Sequence, residues 1–112
     1  MSGRRSRIKG QVWERTLVRM FREVMPDAEI KRGIQFRSGE EASDVEMPCF
    51  WVEAKHHNRT NIKAALRQAI EAAPKGRWPI AVCKDDRQPP VVAMLLDDFM
   101  DLVSEWWAGK KQ

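Results

Sequence analysis

The chain has 112 residues, of which 43% are hydrophobic and 32% charged, a length that suits one domain and excludes two. Its 20 basic and 16 acidic side chains give a net charge of +4, and the excess lies in residues 1–96, which hold 18 basic and 12 acidic side chains. A basic surface attracts polyanions, nucleic acid first, with an acidic membrane surface or acidic protein as weaker alternatives. No apolar run approaches the roughly 20 residues that span a bilayer, so we expect a cytoplasmic protein without a membrane partner.

Periodicity in the first half of the chain predicts one helix and three strands. Residues 1–8 contain three arginines and little to bury, so we expect a mobile basic arm there. Apolar residues at three- and four-residue spacing predict a helix over residues 9–24, which ends before Pro26. Strands are predicted at 29–36, with a bulge or bend at Gly33, and then at 44–47 and 50–56, which a turn at Pro48 and Cys49 joins.

The second half is predicted to contain a helix, two buried strands and a last helix. Thr60 or Asn61 caps a helix that runs to about residue 73, and apolar runs at 80–83 and 91–95 predict buried strands. Acids at the start of residues 97–107 favour a helix there. The order α-β-β-β-α-β-β-α predicts a single α/β domain over residues 9–108 with a mixed sheet.

The two cysteines indicate neither a zinc site nor a disulfide framework. Cys49 and Cys83 stand far apart and lack the CxxC spacing that such sites use. We expect both to be buried thiols.

A pair of acids beside a lysine is the strongest chemical signal in the sequence. Alternation along residues 50–55 puts Glu53 and Lys55 on one strand face. If Asp44 leads the neighbouring strand, its carboxylate approaches Glu53, and two such acids repel unless a cation lies between them. Hard oxygen ligands favour Mg²⁺ or Mn²⁺ over zinc. Such an ion could hold a phosphate and activate water, with Lys55 steadying the nucleophile. The alternative is a surface strand with a salt bridge.

Glu14 is a third candidate, because it shares the side of its helix that faces the core. Two explanations are open. It is either an edge residue bonded to Arg15 or to a backbone amide, or it points at the metal site from the open end of the sheet.

A basic stripe follows the acidic strand. Arg59, Lys63 and Arg67 are spaced i, i+4 and i+8, which predicts phosphate contacts beside the site, although a solvated helix face is the ordinary alternative. Gln68 lies on the border of the buried apolar stripe of the same helix, where it could reach the lysine, a phosphate or a backbone carbonyl. Of the adjacent histidines, we expect His57 to contact DNA rather than to catalyse. Phosphate-loop and dinucleotide fingerprints are absent, so no organic cofactor is expected.

The candidate residues lie in short motifs that match a known nuclease family. In chain order the motifs are Lys9-Gly10-x-x-x-Glu14-Arg15-x-Leu17, then Arg32, then Ser43-Asp44-Val45, then Val52-Glu53-Ala54-Lys55. Together they resemble the archaeal-type Holliday junction resolvases and related small bacteriophage endonucleases, which belong to the PD-(D/E)xK superfamily. The resemblance runs from about Lys9 to Cys83.

This resemblance implies a fold and a catalytic site. The fold would be the restriction-endonuclease-like core, α-β-β-β-α-β, with an extra strand and a C-terminal helix. Asp44 and Glu53 would bind Mg²⁺, for which Mn²⁺ can substitute, helped by the carbonyl of Ala54, with Glu14 completing the acidic cluster. Lys55 would orient the attacking water. The expected DNA-binding residues are Lys9, Arg15, Arg32, Arg37, His57, Arg59, Lys63, Arg67 and Gln68.

The family hydrolyses phosphodiesters, and its resolvases act as homodimers that nick opposed strands of a four-way junction. A phage-encoded member would work in the bacterial cytoplasm. Two alternatives stay open: a virus-type replication-repair nuclease for other branched or single-stranded DNA, and a non-catalytic DNA-binding module with the same fold. No proline precedes Asp44, the loop after Arg32 carries Glu40 and Glu41 as rival acids, and Glu46 shares the face of Asp44.

Overall fold

A mixed sheet flanked by helices carries the fold. The structure, a computed structural model, describes residues 3–33 and 42–111. Its elements in chain order are α1 (Gly3–Val24), β1 (Lys31–Arg32), β2 (Val45–Glu46), β3 (Phe50–His57), α2 (Ile62–Ala72), β4 (Trp78–Asp85), β5 (Val91–Ala93) and α3 (Leu96–Lys110). The predicted element order and the predicted α/β class are therefore confirmed.

The strands form one sheet in the order β1-β2-β3-β4-β5. Strands β1, β2 and β3 pair antiparallel, β3 and β4 pair parallel, and β5 is antiparallel to β4. Because parallel neighbours need a crossover connection, α2 links β3 to β4. Within the residues that the structure describes, no helix is long and apolar enough to cross a bilayer.

The two faces of the β3–β4 pair bury different helices. Val52, Ala54, Ile80 and Val82 form a core with Trp13, Leu17 and Val18 of α1. The indole N–H of Trp13 donates to the carbonyl of Val82 at 3.1 Å, which fixes α1 across β4. On the opposite face, Ala65 of α2 packs with Ala81 and Cys83. Ala65 and Ala69 are the buried residues of α2, whereas Ile62 and Ile70 are each 37% exposed.

The first helix begins earlier than the sequence predicts. It starts at Gly3 rather than Lys9, so residues 3–8, which the sequence assigns to a basic arm, are its first turns. Arginine is a good helix former, and no residue between Gly3 and Lys9 breaks a helix. The basic charge of this segment was therefore not a reason to expect a mobile arm. Residues 3–8 are all exposed, so the domain boundary at residue 9 stays a prediction.

Two predictions of burial are also wrong. Val91 and Val92 of β5 are 45% and 62% exposed, because β5 is the last strand of the sheet and only three residues long. Cys49 is exposed in the β2–β3 turn with a φ of 71°, whereas Cys83 is buried as expected.

Gly33 lies where two backbone segments almost touch. Its amide donates to the carbonyl of Asp44 at 3.0 Å. A Cβ at this position would overlap the carbonyl oxygen of Ser43, which is main chain and not a flexible side chain. The lack of a side chain at Gly33 therefore allows the segment that carries Asp44 to lie against β1. Residues 34–36 of the predicted strand lie outside the described residues.

We expect Gly33→Ala to lower the free energy of unfolding by about 1–3 kcal/mol, because the backbone must move to admit the methyl group. Gly10→Ala is the matched control. It adds the same methyl group where nothing lies within 4 Å, and inside a helix it should raise stability by up to about 1 kcal/mol. Urea unfolding measures both, and a Gly33→Ala chain as stable as the wild type would contradict the close approach.

Candidate active site

Asp44 is tied to β3 by both its backbone and its side chain. Its amide donates to the carbonyl of Val52 at 2.8 Å, and its Oδ2 accepts a hydrogen bond from the amide of Ala54 at 2.7 Å. Ser43, which is buried, closes the turn by donating its hydroxyl to the carbonyl of Val45 at 2.8 Å. These bonds hold the carboxylate of Asp44 beside the middle of β3.

Glu53 and Lys55 form an ion pair on the α2 face of β3. The Lys55 Nζ lies 3.1 Å from Glu53 Oε2, and the two side chains are only 27% and 11% exposed. They stand beside Ala81 and Cys83 in the parallel register of β4. Burial raises the pKa of the Cys83 thiol, and the nearby charge of Asp85 adds to the rise. The sequence prediction that Glu53 and Lys55 share a face is confirmed.

Three acidic side chains influence one another here. The pKa of Asp44 is raised from 3.8 to about 7, first by burial, then by the negative charge of Glu53, with a smaller contribution from Glu14. The hydrogen bond from Ala54 and the charge of Lys55 act in the opposite direction on the same pKa. Asp44 is therefore a carboxylate in an environment that disfavours its negative charge and would favour a cation.

Glu14 is held by Arg32. The Nε of Arg32 donates to Glu14 Oε1 at 2.8 Å, bridging α1 and β1, and the Glu14 side chain is 19% exposed. Neither Arg15 nor a backbone amide is its partner, so the first of the two sequence explanations is wrong in its detail. Glu14, Arg32 and Asp44 line one open cavity of about 630 Å³. The participation of Glu14 in metal binding stays a prediction.

The same cavity contains residues that the sequence analysis missed. Arg7 and Gln11 line it together with Glu14. The three positions are spaced i, i+4 and i+7, which puts them on one helical face. Starting the predicted helix two turns earlier would have put Arg7 on this face, whereas Gln11 already lies within the predicted helix, three residues before Glu14.

The expected DNA-binding residues are spread over several surfaces. Arg59, Lys63, Arg67 and Gln68 are exposed at and along α2, and His57 is exposed at the end of β3. Arg15 is exposed on α1, and Arg32 lies in the cavity. Arg37, Glu40 and Glu41 lie outside the described residues. Glu46 is 3.7 Å from Lys31 Nζ and lines a separate cavity, so it is not part of this site.

Lys9 belongs to a second polar cluster, at the β4–β5 turn. Its Nζ lies 2.7 Å from Asp86 Oδ1, and His56 Nε2 contacts the same oxygen at 3.1 Å. The hydrogen bond from Lys9 lowers the pKa of Asp86. Asp85 meanwhile accepts from the amide of Thr60, at the start of α2, at 2.8 Å. Sequence reasoning missed both aspartates, because strand pairing alone brings residues 85 and 86 to residues 56–60.

The donor set fits a hard divalent cation. Residues 3–33 and 42–111 contain no group of three or more His, Cys, Asp or Glu side chains arranged to hold a metal. Mg²⁺, however, is usually bound by one or two carboxylates together with water and substrate phosphate. Asp44 and Glu53 supply two carboxylates. The raised pKa of Asp44 shows that its negative charge is unfavourable here, and a bound cation would offset that unfavourable charge.

Comparisons with known proteins add no assignment, because no family model, curated protein or solved structure matches this chain. The geometry of the site therefore carries the functional argument.

The pKa of Asp44 gives a pH test of the metal-free protein. Between about pH 4 and 7 the folded chain holds a proton on Asp44 that the unfolded chain has lost, so the free energy of unfolding falls as the pH rises through this window. Asp44→Asn keeps a hydrogen-bond acceptor but removes the titration. It should stabilise the protein at pH 8 by on the order of 2 kcal/mol, with little effect near pH 4.

Urea unfolding in EDTA at several pH values measures this, with Asp27→Asn, an exposed aspartate in the turn after α1, as the control. If the free energy of unfolding changes equally with pH in the wild type and in Asp44→Asn, the raised pKa of Asp44 would be contradicted.

Proposed function

We propose that this chain is a Mg²⁺-dependent DNA endonuclease with a PD-(D/E)xK core, and that its substrate is a four-way junction. The observation that carries the proposal is the placement of Asp44 against β3: its carboxyl is hydrogen-bonded to the amide of Ala54, between Glu53 and Lys55, and the charges of both neighbours act on its pKa. An acid from the residue before β2 and an acid and a lysine from β3 form the pattern that the sequence motif requires. The arrangement α1-β1-β2-β3-α2-β4, with β5 and α3 added, supports the same core.

The residues of this chain divide the chemistry between binding and positioning. Asp44 and Glu53 would hold the Mg²⁺, and the carbonyl of Ala54 is a further donor on the same strand. When bound, the ion would polarise a phosphate oxygen and lower the pKa of a bound water. Lys55, fixed by Glu53 at 3.1 Å, would orient the attacking water and offset the negative charge that develops on the phosphate.

Arg32 supports this chemistry from β1. Its bond to Glu14 orients the guanidinium inside the cavity that Asp44 lines. A guanidinium held in this way can offer its other N–H groups to a phosphate oxygen. Arg32 would therefore bind the phosphate beside the cation while Glu14 keeps it in place.

A branched substrate fits the proposal because the basic residues that we assign to phosphate contacts lie on separate elements. Arg15 is on α1, whereas Arg59, Lys63 and Arg67 lie at the start of and along α2, which covers the opposite face of the sheet. Nicks in two opposed strands of a symmetric junction need two equivalent sites, so a resolvase would act as a homodimer.

The decisive experiment is cleavage of a synthetic four-way junction with Mg²⁺. Glu53→Ala and Lys55→Ala should each lower the cleavage rate by at least about 100-fold, because each removes an interaction with the reacting groups. Glu46→Ala and Lys84→Ala are the matched controls on neighbouring strands, since both residues lie outside the site. They should retain most of the activity, and EDTA should abolish it.

The same assay on other DNA separates the alternatives. Equal cutting of linear duplex would overturn the resolvase assignment while keeping the nuclease. Preference for flaps or single strands would favour the replication-repair type of nuclease. Binding without cleavage at any Mg²⁺ or Mn²⁺ concentration would overturn the enzyme and favour a DNA-binding module.

The salt dependence of DNA binding tests the basic stripe of Arg59, Lys63 and Arg67 at and along α2. Each phosphate contact contributes about one unit to the slope of log affinity against log salt concentration. Arg67→Ala should therefore weaken junction binding and reduce the slope by about one unit. Arg19→Ala, which removes an equally charged side chain paired with Glu23 at 3.4 Å on α1, should leave the slope unchanged. Fluorescence anisotropy between 50 and 200 mM salt, a range of roughly fourfold, measures both. Equal slopes for Arg67→Ala and wild type would remove α2 from the interface.

A further inference from the structure

The last helix turns its apolar side toward solvent. The α3 stripe, which we define as Leu96, Phe99, Met100, Val103, Trp106 and Trp107, is 38–65% exposed. The acidic side chains of Asp98, Asp101 and Glu105 instead line a cavity of about 630 Å³ with Arg77 and Trp78 of the domain. A helix that covers its own domain buries its apolar side. No side chain of α3 is buried against the described part of the chain, so α3 is built to contact something else.

A second apolar surface lies on the domain itself. The α1/β5 groove, which we define by Trp13, Met20, Val24, Pro90, Val91 and Val92, has a volume of about 250 Å³, and every residue that lines it is apolar. Met20 and Val24 are 42% and 74% exposed, and Val91 and Val92 are 45% and 62% exposed. The groove runs along the edge strand of the sheet, where β5 has no further strand beside it among the described elements.

We propose that the α3 stripe of one copy of this chain packs into the α1/β5 groove of a second copy, and the reverse, in a twofold symmetric dimer. Such an interface uses the same two patches on both copies. The α3 stripe of each copy would cover the α1/β5 groove of the other. A single partner, the second copy, would therefore bury both exposed apolar surfaces.

The distribution of exposed side chains supports a real interface. Of the 15 exposed large hydrophobic side chains among the described residues, nine lie between Val91 and Trp107, two of them in the groove and six in the α3 stripe. Isolated exposed hydrophobics are normal, but a contiguous patch marks an interaction surface. A stable interface buries on the order of 800 Å² per partner and is rich in aromatic side chains. Nine large side chains that are each 38–65% exposed, with Phe99, Trp106 and Trp107 among them, offer surface of that order.

A second copy supplies both halves of the proposed contact. Each copy carries one α3 stripe and one α1/β5 groove, so a symmetric pair covers both surfaces, whereas a partner that binds one of them leaves the other exposed. The acidic side chains of Asp98, Asp101 and Glu105 lie outside this contact, because they line the cavity with Arg77 and Trp78.

The connection between β5 and α3 explains why the groove is not filled from within the same chain. Only Met94 and Leu95 separate the two elements, and Met94 packs against the core. With so short a connection, α3 lies beside Arg77 and Trp78, and none of its residues lines the groove. Short connections of this kind favour exchange of an element between copies.

The proposed dimer does not rest on the nuclease chemistry, since none of the groove or stripe residues belongs to the candidate active site. A dimer that cuts no DNA would overturn the proposed function and leave the interface intact. A monomer that cuts DNA would do the opposite.

Sedimentation velocity on the full chain tests the proposal. We expect the wild type to sediment at twice its 13.0 kDa mass. Val103→Glu in the stripe and Val92→Glu in the groove should each raise the dimer dissociation constant by at least about tenfold. Ile70→Glu on α2 is the matched control, because Ile70 is 37% exposed and Val103 is 38% exposed. It should leave the dissociation constant within about twofold.

Cross-linking keeps the test independent of variant folding. In a Cys49→Ser background, a Val92→Cys chain mixed with a Val103→Cys chain should give a mixed dimer with a bismaleimide, whereas Val103→Cys alone should not. A wild-type monomer, with or without binding to lipid vesicles, would overturn the proposal. So would a dimer that loses affinity with Val103→Glu but not with Val92→Glu, which would mean that two α3 helices pair with each other. A dimer that neither glutamate weakens would place the interface elsewhere.

Discussion

The pairing of β3 with β4 is the constraint on which the rest of the structure depends. Eight consecutive residue pairs join these strands in parallel register. Successive side chains of β3 point to opposite faces of the sheet. Val52 and Ala54 face α1 and the main core, while Glu53 and Lys55 face α2. A slip of one residue would exchange the two sets. The buried apolar face thus fixes the register that presents the acid and the lysine side by side.

The candidate site carries an energetic cost that the fold does not need. Asp44 is held where burial and Glu53 raise its pKa, and Glu53 and Lys55 form a largely buried ion pair. Buried ion pairs of this kind often stabilise a protein no more than apolar residues would. Stability alone therefore does not account for these residue types, and perturbed carboxylates of this kind cluster at functional sites.

Short-range patterns in the sequence were sufficient for the order of the elements and for the two faces of β3. Alternation identified the shared face of Glu53 and Lys55, and Asn61 does cap α2, accepting from the amide of Ala64 at 3.0 Å. The failures come from contacts that only the sheet creates. The bond of Arg32 to Glu14 joins residues 18 positions apart, and Lys9 meets Asp86 across 77 positions. The exposure of Val91 and Val92 likewise depends on β5 being an edge strand, because an apolar run reads the same on an inner strand as on an outer one.

The sheet order separates the two surfaces to which we assign functions. Asp44, Glu14 and Arg32 gather at the β1–β3 side of the sheet, whereas the α1/β5 groove lies at its other edge. Helix α1 lies between them, with Arg7, Gln11 and Glu14 on the cavity and Met20 and Val24 on the groove. A partner bound in the groove would therefore leave the cavity and the exposed stripe of α2 open to DNA. Two copies joined through the groove would therefore leave both candidate sites uncovered, because the contact includes no residue of either site.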